Sequence, residues 1–281
     1  MIAVTYQSGR LASLRLAPAL PPRDPRFIPP PAEMCQLADV WKPAPLSGQW
    51  IAEPKVDGVR CLYVAGQILS REGNPLPCTD HLLPELQRLE RRFGQAMVLD
   101  GEFEAGSFLQ TIGVLSSRGR SDVLGRIHLF DAVPHADWVK DASTEPLTAR
   151  RKLLEVALEG WEPKHLRLIT QRPVANAGQV LAMANAIWAA GGEGVMLKRA
   201  DSRYQRRRST AWLKHKRKLS LAGTVVEVLH GGKAARVDIA GRRVRVSVPM
   251  GRTLSAVGMT VQVEAMEWTE RMQLRQGVIV G

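Results

Sequence analysis

The segment Glu53-Pro54-Lys55-Val56-Asp57-Gly58-Val59-Arg60 concentrates a lysine, two acids, an arginine and a glycine directly behind the apolar run Trp50 to Ala52. A lysine at a strand end beside a glycine turn can face a pocket instead of solvent. Once neutral, its amine is a nucleophile, and nearby cations together with partial desolvation favour the neutral form. The same residue types also populate ordinary surface turns, so the segment takes its weight from the motifs C-terminal to it. These are Ser70-Arg71, Leu99-Asp100-Gly101-Glu102, Leu129-Phe130-Asp131, Glu193-Gly194-Val195-Met196-Leu197-Lys198 and Trp212-Leu213-Lys214-His215-Lys216. From Arg203 to Lys218 the chain also carries Arg206, Arg207, Arg208, Lys214, Lys216 and Arg217 without a single acid. Such a run reads as a solvated face or as a phosphate-facing surface.

In type and order these segments resemble the signature Lys-x-Asp-Gly-x-Arg and the later motifs of the covalent nucleotidyltransferases, which are the DNA ligases, the RNA ligases and the messenger-RNA capping enzymes. The resemblance covers Trp50 to Lys218 firmly and extends weakly through the tail. Trp212 to Lys216 looks like the ligase version, and Phe108-Gln110-Thr111-Gly113-Leu115 is similar to small bacteriophage-type DNA ligases. The resemblance therefore implies an ATP-dependent DNA ligase. Such an enzyme seals nicks in duplex DNA through a lysyl-AMP intermediate, AMP transfer to the 5′-phosphate and attack by the 3′-OH. A GTP-dependent capping-type guanylyltransferase is the first alternative, and a non-catalytic nucleic-acid-binding protein is the second.

Carried over position by position, the resemblance implies Lys55 as nucleophile, with Lys214 and Lys216 as catalytic cations. Glu53, Arg60, Arg71, Glu102 and Phe130 would join these three lysines around the nucleotide. Phe130 would stack on adenine, and Glu53 would accept from its amino group. Glu102 and Glu193 would share Mg²⁺, with Mn²⁺ as a substitute, because hard oxygen ligands and substrate phosphates are what that ion takes. The α-phosphate gains negative charge as pyrophosphate leaves, and preorganised cations stabilise it there. Arg60, Arg203, Arg206, Arg207, Arg208, Arg217 and Lys218 would contact DNA. The basic Arg-x-Asp-Lys element that many relatives carry at the end of the barrel is absent here, so the family's means of orienting pyrophosphate is missing unless Arg271 or Arg275 has taken over that role.

The elements that must hold these residues divide into two regions. A chain of 281 residues fits a large domain followed by a small one. Pro18, Pro21, Pro22, Pro25, Pro29, Pro30 and Pro31 mark an extended arm, so residues 1–32 are expected to be a proline-rich extension. Short apolar runs at Trp50 to Ala52, Arg60 to Val64, Ala96 to Leu99 and Ile127 to Phe130 predict strands. Thr148 to Gly160 and Asn176 to Ala190 predict helices, with Thr148 as a cap on the first and Leu153, Leu154, Ala157 and Leu158 on its apolar face. From Leu221 the runs Val225 to Val228, Ala235 to Ile239, Arg243 to Val246 and Val261 to Glu264 predict a small closed barrel. The expected fold is thus α+β: an adenylyltransferase domain over residues 33–218, with ATP-grasp-like antiparallel sheets and helices, and an all-β oligonucleotide-binding (OB) barrel over 219–281.

A formal charge of +12, from 39 Lys and Arg against 27 Asp and Glu, attracts phosphate backbones. The expected partner is nicked duplex DNA, and the expected state is a monomer. Gln7, Ser8, Arg10 and Arg15 interrupt the stretch where a secretory apolar core would sit, so the expected location is the cytoplasm of a bacterial or phage-infected cell. Three cysteines without paired spacing predict neither a disulfide framework nor a zinc site.

Overall fold

Strand propensity and helix caps divide the chain much as its apolar runs do, and the computed structural model describes residues 29–30, 33–117, 122–269 and 272–280. Most of the proline-rich arm, the stretch Met1 to Leu20 and Arg271 lie outside the described residues. Two compact units are present, one ending at His215 and one beginning at Lys216.

The first unit holds strands β1 (Leu37–Val40), β2 (Trp50–Lys55), β3 (Val59–Val64), β4 (Gln67–Ser70), β5 (Met97–Glu104), β6 (Arg126–Pro134), β7 (Leu166–Leu168), β8 (Arg172–Val174), β9 (Gly194–Arg199) and β10 (Arg208–Lys216). Its helices are α1 (Leu83–Phe93), α2 (Phe108–Ser116), α3 (His135–Lys140), α4 (Leu147–Leu158) and α5 (Ala177–Ala189). Two five-stranded sheets result, ordered β1-β10-β9-β2-β8 and β4-β3-β5-β6-β7. Pairing of β2 with β8 and β9, and of β3 with β4 and β5, is antiparallel, as is β5 with β6. Two of the four edge strands depart from the antiparallel expectation: β1 runs parallel to β10, and β7 runs parallel to β6.

Strand alternation divides the interior. Cys61 and Tyr63 of β3 enter a core with α1, α2 and α4, whereas Leu62 and Val64 enter a second core with Met34, Phe130, Trp138, Tyr204 and Trp212. A third core packs α5 against β2 and β9 through Ala52, Val180, Ala184, Val195 and Leu197. The chain passes from the first sheet to the second in the short link between Lys55 and Val59, so the lysine sits where the sheets meet. Gly58 in that link has no room for a side chain, because a Cβ there would lie 2.2 Å from the main-chain oxygen of Phe103.

Helix α5 begins where Asn176 accepts a hydrogen bond from the amide of Gln179 at 3.0 Å. Helix α2 carries a reciprocal capping box between Ser107 and Gln110. Helix α4 differs from expectation: Pro146 occupies its cap position, where a missing amide costs nothing, and Thr148 falls inside the first turn. Its inward face is Leu147, Arg150, Leu154 and Ala157, while Leu153 is exposed. The fully buried Arg150 is tolerated because Asp131 accepts from it at 2.7 and 2.8 Å and two main-chain oxygens take a third nitrogen.

The second unit contains β11 (Leu219–Leu229), β12 (Ala234–Ile239), β13 (Arg242–Ser247), β14 (Thr260–Ala265), β15 (Glu267–Trp268), β16 (Leu274–Arg275) and β17 (Val278–Ile279). Five of these close a barrel in the order β11-β12-β13-β17-β14, and β15 and β16 form a separate ribbon. Val225, Val237, Val244, Val246, Val261 and Val263 fill its interior. No helix among the described residues is long and apolar enough to cross a membrane.

Gly58→Ala is expected to destabilise the fold by about 1–3 kcal/mol, as overpacking does. Thermal unfolding checks this, and a variant melting with the wild type would show that the link yields freely.

Candidate active site

The register of β2 against β9 places Lys55 across from Gly194 and Glu53 across from Met196. Strand alternation puts Glu53 and Lys55 on one face. Lys55 Nζ meets Glu193 Oε2 at 2.6 Å, with the lysine side chain 18% exposed and the acid nearly buried. Glu53 is buried and held through both oxygens: Lys198 Nζ forms an ion pair with Oε2 at 2.7 Å, and Gln171 Nε2 donates to Oε1. Burial is the main influence on Lys198 and lowers its pKa, with Glu53 opposing. The Lys198 ammonium also lies 4.2 Å from the ring centroid of Phe130 and 4.1 Å from that of Trp212.

On the second sheet, Arg60 and Glu102 are register partners across β3 and β5. The Arg60 guanidinium forks onto Asp100, with Nε and Nη2 each donating at 2.6 Å, and Nη2 also reaches the Gln36 carbonyl at 3.2 Å. Tyr204 donates to the same carboxylate at 2.6 Å. Burial works against the Arg60 charge, yet Asp100 more than offsets it and holds the guanidinium protonated. Glu102 is different. Burial pushes its carboxyl up to about 7; Lys55 and Arg60 pull against that, while Glu193 and Asp100 reinforce it.

Phe130 is 7% exposed, with Arg60 4.7 Å from its centroid and Trp212 edge-on at 5.9 Å. Lys214 and Lys216 follow the buried Trp212 at two-residue steps along β10, which puts all three on one face, and both lysines are half-buried. Arg71 points outward at the end of β4, where its side chain is 62% exposed and pairs with Glu72. Glu53, Lys55, Arg60, Glu102, Phe130 and Glu193 thus converge through shared contacts, and Arg71 stands apart from them.

The basic run divides. Arg203, Arg207, Arg217 and Lys218 are exposed, Arg208 is exposed while donating to the Ala38 carbonyl, and Lys218 pairs with Glu264 at 2.6 Å. Arg206 does not share that surface: it is buried over Trp138 at 5.4 Å and donates to the carbonyls of Glu33 and Val139. A side chain so enclosed is an anchor and not a DNA contact.

Sequence reasoning missed four residues that organise the site: Asp100, Gln171, Lys198 and Tyr204. Asp100 and Lys198 stand inside family-like segments, but nothing in their spacing separates a buried charge from a solvated one.

Among the described residues, no group of three or more His, Cys, Asp or Glu could hold a metal by itself. Glu102 and Glu193 nevertheless fit a hard divalent ion that takes its remaining ligands from substrate phosphates. They are oxygen donors near enough that the Glu193 charge opposes ionisation of Glu102, a repulsion that a shared cation would relieve.

This arrangement can present an amine to a phosphate among cations. The comparisons decide the family, for the model of the ATP dependent DNA ligase domain matches residues 36–216. The chain belongs to the ATP-dependent DNA ligases. A DNA ligase of Haemophilus influenzae is 24% identical over 208 residues, which is 73% of this chain and 71% of that protein. The multifunctional non-homologous end joining protein LigD of Pseudomonas aeruginosa is 30% identical over 202 residues, covering 68% of this chain but 22% of that protein. Among solved structures, a Lig E DNA ligase superposes with a TM-score of 0.70 at 17% identity, over 90% of this chain and 99% of that one. This ligase is an enzyme that uses ATP and seals nicks in DNA, and the capping-type alternative is not favoured.

Because the folded-state pKa of Glu102 lies above its unfolded value, its stabilising contribution is complete below the unfolded pKa and is lost as pH rises through about 7. Glu102→Gln, which mimics the protonated acid, should therefore melt close to wild type at pH 5 and a few degrees above it at pH 8. A difference independent of pH would contradict the raised carboxyl.

Proposed function

We propose that Lys55 is the residue that carries AMP. Its Nζ attacks the α-phosphorus of ATP, a nitrogen–phosphorus bond forms as the α–β anhydride breaks, and pyrophosphate leaves. A 5′-phosphate oxygen at the nick then attacks the same phosphorus and frees Lys55. The 3′-OH finally attacks the DNA phosphate and expels AMP. The single observation that carries this reading is the placement of Lys55, at the end of β2 and 2.6 Å from Glu193, where two sheets meet.

Several residues support it from fixed positions. Glu53 is held by Lys198 and Gln171 and is a suitable acceptor for the adenine amino group. Phe130 offers a ring for stacking, which is worth ~1–3 kcal/mol per base and indifferent to base identity, so Glu53 supplies the selection. Arg60 acts at the ribose or phosphates from its fork on Asp100. Lys214 and Lys216 supply positive charge for the α-phosphate and departing pyrophosphate. Glu102 and Glu193 would hold Mg²⁺, which when bound supplies charge beside the phosphates. The Lys55 ammonium gives up a proton before it attacks, and the Glu193 carboxylate at 2.6 Å is placed to take it.

We assign residues 33–218 to the adenylyltransferase domain and 219–281 to an OB-type barrel. The order first-second-third-fifth-fourth around the barrel supports the second assignment. The exposed cations Arg203, Arg207, Arg217 and Lys218 suit the backbone of a nicked duplex, read by shape and not by sequence.

Incubation with radiolabelled ATP should leave on the wild type a covalent AMP label that survives denaturation and alkali but is released by acid, as a lysine phosphoramidate is, and none on Lys55→Ala, which should keep its affinity for nicked duplex. Label on the variant would refute the assignment, and preferential labelling by GTP would favour a guanylyltransferase.

A further inference from the structure

Trp188, one residue before the end of α5, contacts the site without belonging to the machinery described above. Its indole Nε1 donates to the main-chain oxygen of Glu193 at 3.2 Å. Its ring packs on His215 at a centroid distance of 5.3 Å, and His215 meets Trp41 edge-on at 5.1 Å. Trp41 is itself tied to β10, since its amide donates to the Lys214 carbonyl at 2.9 Å. The indole is therefore held by ring packing as well as by its hydrogen bond.

The loop that bears Glu193 needs such a tether. Gly191 has φ +81°, and a Cβ on Gly192 would lie 2.6 Å from Ile187 Cγ2. Consecutive glycines have more backbone freedom to lose on folding than other residues. The bonds from Gly191 N to the Trp188 carbonyl at 3.1 Å and from Gly192 N to the Ile187 carbonyl at 2.8 Å close the helix. The indole bond alone of these reaches the main chain of Glu193.

We propose that Trp188 is a positioning residue for AMP transfer to Lys55, whose indole N–H fixes the Glu193 main chain and so aims the carboxylate that meets the Lys55 ammonium. The inference rests on the reading of Lys55 as the AMP carrier. A neutral hydrogen bond contributes ~0.5–1.5 kcal/mol net, which corresponds to roughly 2- to 12-fold in rate. Gross binding of ATP involves other residues, so the loss belongs in the rate constant and not in the ATP concentration for half-maximal rate.

Two variants of the full chain test it. Trp188→Phe keeps much of the packing and loses the donor, and replacement of Trp188 by benzothienylalanine keeps the ring shape with sulfur in place of N–H. Single-turnover adenylylation with ATP should slow about 3- to 10-fold in both, with half-saturation by ATP unchanged and the benzothienylalanine protein melting with the wild type. A benzothienylalanine protein that adenylylates at the wild-type rate overturns the inference and makes Trp188 a packing residue. A wild-type chain that takes no AMP on Lys55 overturns the underlying reading and this inference with it. A labelled wild type beside a full-rate variant overturns this inference alone.

Discussion

The antiparallel pairing of β2 with β9 is the constraint on which the site depends. It brings two charge pairs across one strand boundary, Glu53 with Lys198 and Lys55 with Glu193, at 2.7 and 2.6 Å. A slip of one residue would turn Glu53 and Lys55 to the opposite face and leave Lys198 charged among Phe130 and Trp212. A buried pair adds little net stability, but an unpaired partner costs several kcal/mol, so the pairs specify register more than they stabilise. The apolar contacts of α5 with both strands supply the stabilisation.

The second sheet repeats the logic with another pair. Arg60 is fixed by Asp100, and Asp100 is fixed by Tyr204 from the strand-poor segment before β10. Cations in this ligase therefore fall into two populations. Arg150, Lys198 and Arg206 are buried and hold parts of the structure together, whereas Arg203, Arg207, Arg217 and Lys218 are exposed. The net charge of +12 does not overstate the basic surface, because among the described residues the buried cations Arg150, Lys198 and Arg206 are outnumbered by the buried acids Glu53, Glu90, Asp100, Asp131 and Glu193.

Much of this architecture is legible in the chain and some is not. Strands β2, β3, β5 and β6 announce themselves as apolar runs, and α5 by its Asn176 cap and closing glycines. Helix α1 escapes notice although Leu83, Leu86 and Leu89 recur every three residues, because its charged residues dominate the composition. The final barrel strand, β17, spans two residues and is too short to show a period; only closure against β13 and β14 defines it. At the site, Lys55, Glu53 and Glu102 can be found because chemistry limits what stands there. The roles of Lys198, Gln171 and Arg206 cannot, since burial of a polar side chain depends on partners 100 or more residues away.

The central claim is that cross-strand partners on β2 and β9 act as a unit in preparing the enzyme for AMP transfer. A double-mutant cycle with Glu53→Gln and Lys198→Met tests it most directly, with single-turnover adenylylation by ATP as the readout. The account predicts that each single change slows the reaction strongly and that the double variant is no slower than the worse single one. The coupling should then far exceed the ~0.3–0.5 kcal/mol within which independent sites add. Strictly additive losses would contradict the account, because Glu53 and Lys198 would then serve the reaction separately.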